Sequence, residues 1–315
     1  MRATTPLLVA AHEGCLEHRP FPGHPDRPDR IDAALQGAAA AGAGPLAVEV
    51  EEGAVLSGIA RVHEPELAAR LRAACRSAPA IFDCPDNPIS SGSYRAALAA
   101  AACSLAAAAA TADGRAESVF LAVRPPGHHA LRERAMGFCF FNNAAIAAED
   151  LLARGYGPLA IVDFDVHHGN GTQAHFWARD DVFYLSVHRY PFYPGSGAAD
   201  EIGSGRGRGF TRNFPLAAGA DDDTYTGGVA AGLEEILAAT APRAWVVSAG
   251  FDAHHDDPLG GMRVSERGFA SIGAMLAQAR GEAPLVAALE GGYNLEALRR
   301  SVRAFLLGLA GDAGT

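Results

Sequence analysis

"LAIVDFDVHHGN", residues 159–170, opens as a buried strand and closes on charge. "LAIVDFD", 159–165, reads as a strand covered on both faces, built on the apolar, β-branched run Leu159 to Val162, and it carries two aspartates before two histidines and Gly-Asn. Side chains two apart on an extended strand share a face, so Asp163, Asp165 and His167 point one way and Phe164 and Val166 the other. Two carboxylates and an imidazole removed from water together are costly unless a divalent cation satisfies them. The plainer reading, a salt-bridged strand end, is weakened by a second acidic loop further along the chain.

Strand-like runs of the same kind recur at 7–10, 118–123, 182–187, 244–249 and 285–290. Helix-like segments lie between them at 31–41, 64–77, 93–112, 142–154, 223–239, 265–280 and 294–310, several opened by start signals such as "SGSY", "NN" and "DDDT". This alternation predicts an α/β fold, a central, mostly parallel sheet with helices on both faces. "GSGRGRGF" (203–210) and "HRPFPGHPDRPDR" (18–30) read as loops, and with no repeat or long linker the whole of 1–315 is expected to be one domain.

At 315 residues and 49% hydrophobic composition the chain can bury a sizeable core. A formal charge of −10 opposes a nucleic-acid partner. Five cysteines without a C-x-x-C pair suggest neither a disulfide framework nor a zinc knuckle, which fits a reduced, cytoplasmic setting. The opening "MRATTPLLVAAHEGC" has too short an apolar stretch for an export signal, and "AALAAAACSLAAAAA" reads as an alanine helix, so no membrane association is expected.

The unusual residues fall at strand ends. "RPPGHH", "DFDVHHGN", "SVHRYPFYPG", "SAGFDAHHDDP" and "LEGGY" each begin where a predicted strand finishes, and loops leaving the carboxyl ends of neighbouring parallel strands share one crevice. There Asp165, His167 and Asp252 supply three ligands and leave a position open, the pattern of a catalytic zinc site. His254, His255 and Asp256 read as loop residues or partners behind the ligands. His128 and His129, behind a rigid Pro-Pro-Gly turn, suit proton transfer. Tyr293 follows two glycines, Gly291 and Gly292, that allow close backbone approach, and its hydroxyl can donate to an oxyanion. No nucleophile elbow and no cysteine beside these histidines is evident, so metal-activated water is the economical route.

Together these motifs resemble the histone deacetylase and acetylpolyamine amidohydrolase family, most closely its class II branch, from about His12 to about Leu307. The resemblance implies an arginase-like three-layer α/β/α fold and a zinc-dependent amidohydrolase that removes acetyl groups from acetyl-lysine or similar N-acetylated amines. It implies zinc, or ferrous iron, on Asp165, His167 and Asp252. It implies His128 and His129 as paired acid/base groups, oriented by Asp163 and Asn170, and Tyr293 as the residue polarising the amide carbonyl. A potassium ion is implied at Asp163, Asp165, His167 and Ser186. Gly137, Phe138, Tyr193, Leu259 and Gly291 would line the acyl-lysine tunnel, with Tyr193 standing where phenylalanine is more frequent. Arg27 would match the arginine of an inner product channel. Leu259, in "DPLGG", gives no charge with which to select a polyamine cation, so an acetyl-lysine peptide or protein is the expected partner and an acetylpolyamine or other small acetylated amine the alternative; a homo-oligomer is compatible. An arginase-like binuclear manganese enzyme would need a carboxylate where Gly169 stands, and a non-catalytic sensor would not need both histidines and Tyr293.

Overall fold

The structure is a computed structural model that describes residues 7–311; residues 1–6, part of the opening stretch read above as too short for an export signal, and 312–315 lie outside the described residues. Eight strands form one sheet: β1 Leu7–Ala10, β2 Gly44–Leu46, β5 Ser118–Leu121, β6 Leu159–Asp163, β7 Val182–Arg189, β8 Thr211–Leu216, β9 Ala244–Ala249 and β10 Leu285–Leu289. Their order is β2-β1-β5-β10-β9-β6-β7-β8, and every neighbouring pair runs parallel. β3 Ala80–Ile81 and β4 Pro88–Ile89 make a separate antiparallel pair. The helices are α1 Asp29–Ala40, α2 Glu52–Ile59, α3 Pro65–Cys75, α4 Ser93–Ala112, α5 Asn143–Ala153, α6 Asn170–Phe176, α7 Asp222–Ala239, α8 Glu266–Arg280 and α9 Leu295–Leu309.

Alternation along the central strands splits the core in two. Val119, Leu121, Ile161, Val246 and Val286 face α2, α3, α4 and α5, whereas Phe120, Val162, Trp245, Val247 and Leu285 face α1, α7, α8 and α9. The result is the three-layer α/β/α architecture expected from the sequence. Because both faces are covered, these strands carry no polar face, which is why they read as continuous apolar runs. α4 is long and apolar enough by composition to cross a membrane, but 72% of that stretch is buried inside the fold, against the sheet.

Helix starts follow local chemistry. Asn142 Oδ1 accepts the Ala145 N–H at 2.9 Å, Asp221 Oδ1 that of Thr224 at 3.2 Å, and Asn294 Oδ1 that of Ala297 at 3.1 Å. Ser93 of "SGSY" does not cap α4; its hydroxyl accepts the Ser90 N–H and meets His18. The edge strands β2 and β8 escaped sequence reading because one is three residues long and both contain proline, which an edge tolerates. α2 and α6 were likewise unforeseen.

The opening stretch departs from the expected strand in one respect. β6 ends at Asp163, two residues early, because side chains replace the ladder there: Asp165 N–H donates to Asp163 Oδ1 at 3.2 Å and His167 N–H to Asp165 Oδ1 at 2.9 Å. Phe164 and Val166 still turn into the core on the opposite side.

Candidate active site

The loops leaving β5, β10, β9 and β6 adjoin at the centre of the sheet and bring four of the five motifs together; the fifth arrives after β7. From β6 and β9 come Asp165, His167 and Asp252. His167 Nδ1 lies 3.0 Å from Asp165 Oδ1 and 3.1 Å from Asp252 Oδ2, and one donor atom of each residue falls within 4.8 Å of the others. Both carboxylates are buried. Burial and the neighbouring Asp165 push the Asp252 carboxyl up to about 7. Burial opposes ionisation of Asp165 too, but His128 and His167 hold it low. Two buried carboxylates facing one imidazole nitrogen form a donor set that a dication compensates, so the residues fit a divalent metal.

Glycine makes this convergence possible. A β-carbon on Gly291 would stand 2.0 Å from Asp252 Oδ2 and 2.6 Å from Asp165 Oδ2, while its N–H donates to Asp165 Oδ2 at 2.7 Å. Gly137, at φ +60, sits where a β-carbon would be 2.3 Å from the His129 ring. Next to it Phe138 holds φ 67, sparsely populated for a bulky residue, with its N–H on Asn87 Oδ1 at 2.7 Å.

His128 and His129 stand with ring centroids 4.0 Å apart and different partners. His128 Nδ1 meets Asp163 Oδ2 at 3.0 Å, and its Nε2 is 3.8 Å from Asp165. Burial resists charging of His128, yet Asp163 and Asp165 raise it to about 10. His129 Nδ1 meets the neutral Asn170 Oδ1 at 2.8 Å; burial, then His128 and His167, hold it well below the usual imidazole range. The two rings are therefore biased in opposite directions, His128 toward the imidazolium and His129 toward the neutral imidazole.

Tyr293 lines the same cavity of about 260 Å³ as His128, His129, Gly137, Phe138, His167, Tyr193, Leu259 and Gly291. Burial raises its phenol well above the ordinary range, against the pull of Arg30, whose guanidinium lies 4.9 Å from the ring. Tyr193 and Leu259 are partly exposed at the mouth. Phe192, which the sequence motifs do not single out, stacks on His167 at 5.1 Å and has the Arg189 guanidinium over its ring at 4.0 Å.

Some expectations change. Arg27 does not enter the interior: its side chain is 51% exposed and pairs with Asp29 at 3.6 Å. The buried arginine behind Tyr293 is Arg30, which pairs with Asp26 at 2.7 Å and donates to Gly292 O at 2.7 Å and to Glu290 O. The helical phase of α1 carried the signal, since Arg30 shares a buried stripe with Ala34 and Gly37. Ser186 is buried opposite Asp163 across β6 and β7, with its hydroxyl 2.8 Å from His188 Nδ1. His254, His255 and Asp256 form their own cluster, in which His254 Nδ1 accepts the Asp256 N–H and Nε2 lies 3.3 Å from Glu266. Asp86, absent from the sequence expectation, lines the cavity and accepts the Tyr193 hydroxyl at 2.7 Å and the Gly137 N–H at 3.2 Å.

Comparison with known proteins agrees with this geometry. Residues 24–309 match the histone deacetylase domain model. The chain is 38% identical to histone deacetylase 15 of Arabidopsis thaliana over 98% of its own length and 58% of the relative's, so it spans little more than half of that protein. It is 34% identical to a probable deacetylase of Archaeoglobus fulgidus, over 91% of this chain and 81% of the relative. The crystal structure of an acetylpolyamine aminohydrolase from Burkholderia pseudomallei superposes with a TM-score of 0.87 at 32% identity, covering 97% of this chain and 99% of that one. With the domain match extending over nearly all of its length, the chain belongs to the histone deacetylase family.

Proposed function

We propose that the protein hydrolyses N-acetylated amines, releasing acetate and the free amine. The observation that carries this reading is the meeting, around one cavity, of His128 on Asp163, His129 on Asn170, Tyr293, and His167 with the buried Asp165 and Asp252 carboxylates behind it. Asp165, His167 and Asp252 would hold zinc, and ferrous iron fits the same donors. Bound there, the ion supplies Lewis acidity, polarising a carbonyl and acidifying a water. His129, neutral and without a carboxylate partner, takes the proton of the attacking water and returns it to the leaving nitrogen. His128, held charged by Asp163, stabilises developing negative charge. The Tyr293 hydroxyl, kept protonated by burial, donates to the carbonyl oxygen as it becomes an oxyanion. Phe138 and Tyr193 flank the methylene chain of the substrate. A potassium ion beneath the site would use Asp163, Asp165, His167 and Ser186, the first and last of which are adjacent across the sheet.

An acetyl-lysine side chain in a peptide or protein is the favoured substrate, because Leu259 at the mouth is uncharged. Asp86 favours a second reading, an acetylated polyamine, since a carboxylate at the cavity suits a distal ammonium. A paired turnover assay on an acetyl-lysine peptide and on N-acetylputrescine and N8-acetylspermidine, with metal content measured on the same sample, separates them. The chain contains no lysine, so its own side chains cannot contribute acetyl-lysine to the assay. Two manganese ions per chain with no deacetylation of any substrate would overturn the proposal.

A further inference from the structure

We propose that Glu290 is a positioning residue that fixes the tandem-histidine turn relative to Tyr293. The idea rests on the deacetylase reading for its kinetic consequence but not for its geometry. Residues 290–293 are tied, one after another, to different parts of the site. Gly291 N–H donates to Asp165 Oδ2 at 2.7 Å, Gly292 O accepts from Arg30 Nε at 2.7 Å, and Tyr293 N–H donates to Asp257 Oδ2 at 2.6 Å. Glu290 makes the remaining link: its carboxylate leaves the end of β10 and accepts, on Oε2, the N–H of Gly127 at 2.6 Å and of His128 at 3.1 Å. Among the described residues no other acceptor meets those two N–H groups. Two successive amides aimed at one carboxylate oxygen form an anion-binding concavity, here filled by the chain itself.

Ordinary packing does not explain a glutamate at this place. Glu290 is fully buried, and its second oxygen, Oε1, has no hydrogen-bond partner. A lone buried polar atom is costly, and a residue needed only to fill space would be apolar. What the carboxylate supplies is a rigid connection between two arms that must act on one carbonyl. The arms come from different strands, β5 and β10, and the other bonds on the histidine turn, Asn143 Nδ2 on Pro125 O, Gly171 N–H on His128 O and His128 Nδ1 with Asp163 Oδ2, tie it to residues outside the 290–293 arm.

The test compares E290A and E290Q in the metal-loaded full chain. E290A leaves both amides without an acceptor, so the turn relaxes. A displacement on the order of 1 Å lowers kcat by roughly 100-fold. KM should stay within about threefold, because uniform binding is untouched. Metal content should remain that of the wild type, and hydrogen exchange at Gly127 and His128 should accelerate. E290Q keeps an amide oxygen for the same two N–H groups and should recover most of kcat and the protection of both amides. Wild-type kcat with protected amides in E290A would overturn the proposal, as would loss of metal in E290A. An E290Q as slow as E290A with its amides still protected would also overturn it, because the carboxylate would then act chemically rather than as a strut. If E290A does not fold, E290Q decides against the wild type: kcat near wild type with both amides protected supports the strut, and a loss of roughly 100-fold with both amides protected overturns it. Should the wild type deacetylate nothing, the deacetylase reading fails, while the exchange measurement still tests the strut.

Discussion

Replacing Gly291 by alanine should expel the metal while leaving the fold intact. The added β-carbon would lie 2.0 Å from Asp252 Oδ2, whereas ordinary contact begins near 3.4 Å, so the carboxylate or the 290–293 arm must give way by 3.4 − 2.0, about 1.4 Å. Metal–ligand distances tolerate only about 0.2 Å of variation, so a shift of that size removes a ligand rather than loosening it. The same β-carbon presses on Asp165 Oδ2 at 2.6 Å and strains the hydrogen bond that the Gly291 N–H donates to that oxygen. Loss of an outer partner of a ligand typically costs 10- to 100-fold in affinity, and displacing the ligand itself should reach at least the upper figure, ~2.7 kcal/mol. The assay is zinc affinity by chelator competition, with bound metal counted by mass spectrometry and folding followed by circular dichroism. Gly227 in α7 is the control: it is exposed, and nothing lies within 4 Å of an added β-carbon, so G227A should bind metal normally. A G291A protein retaining one ion per chain at wild-type affinity would refute the reasoning.

Y293F should keep its metal and lose about 100- to 1000-fold in kcat, measured by acetate release at saturating substrate. Because His129 must be neutral and His128 charged, kcat/KM should rise as pH climbs through a His129 value well below 6.5 and fall as His128 deprotonates, at or somewhat below about 10 once a cation sits nearby. D163N removes the main charge that favours the imidazolium, so in a pH–rate profile the basic limb should move to lower pH. D26A strands two buried guanidiniums, Arg30 and Arg124, now bound at 2.7 and 2.8 Å; a loss of about 3–5 kcal/mol is expected from denaturant unfolding. The folded-state carboxyl of Asp26 is depressed, buried but outweighed by Arg124 and Arg30. Its contribution is therefore present above the unfolded value and lost as pH falls through the folded one.

The sequence by itself determined the parallel α/β architecture, because doubly buried strands can be written only as apolar runs and their ends only as the places where polarity resumes. It also determined which residues meet at the metal donor set. Charge placed at strand ends in "DFDVHH" and "SAGFDAHH" has few alternatives to a shared cation, and the strand order delivers both loops to one crevice. Only the tertiary structure decided which arginine turns inward. Arg27 and Arg30 sit in one motif, and the choice follows from where α1 docks and from two carbonyls more than 250 residues away along the chain, the one bonded to Arg30 Nε being 262 distant. Asp86 at the cavity and Glu290 beneath the histidine turn were illegible for the same reason. Sequence periodicity states which face of an element is buried, but it carries no information about which group from another element, 163 residues off for the Glu290–Gly127 contact, will stand opposite. The early end of β6 was partly local, since Asp163 and Asp165 accept N–H groups only two residues on, and partly a product of the fold, since Val166 N–H is taken at 2.9 Å by Asp252 Oδ1 from the loop after β9.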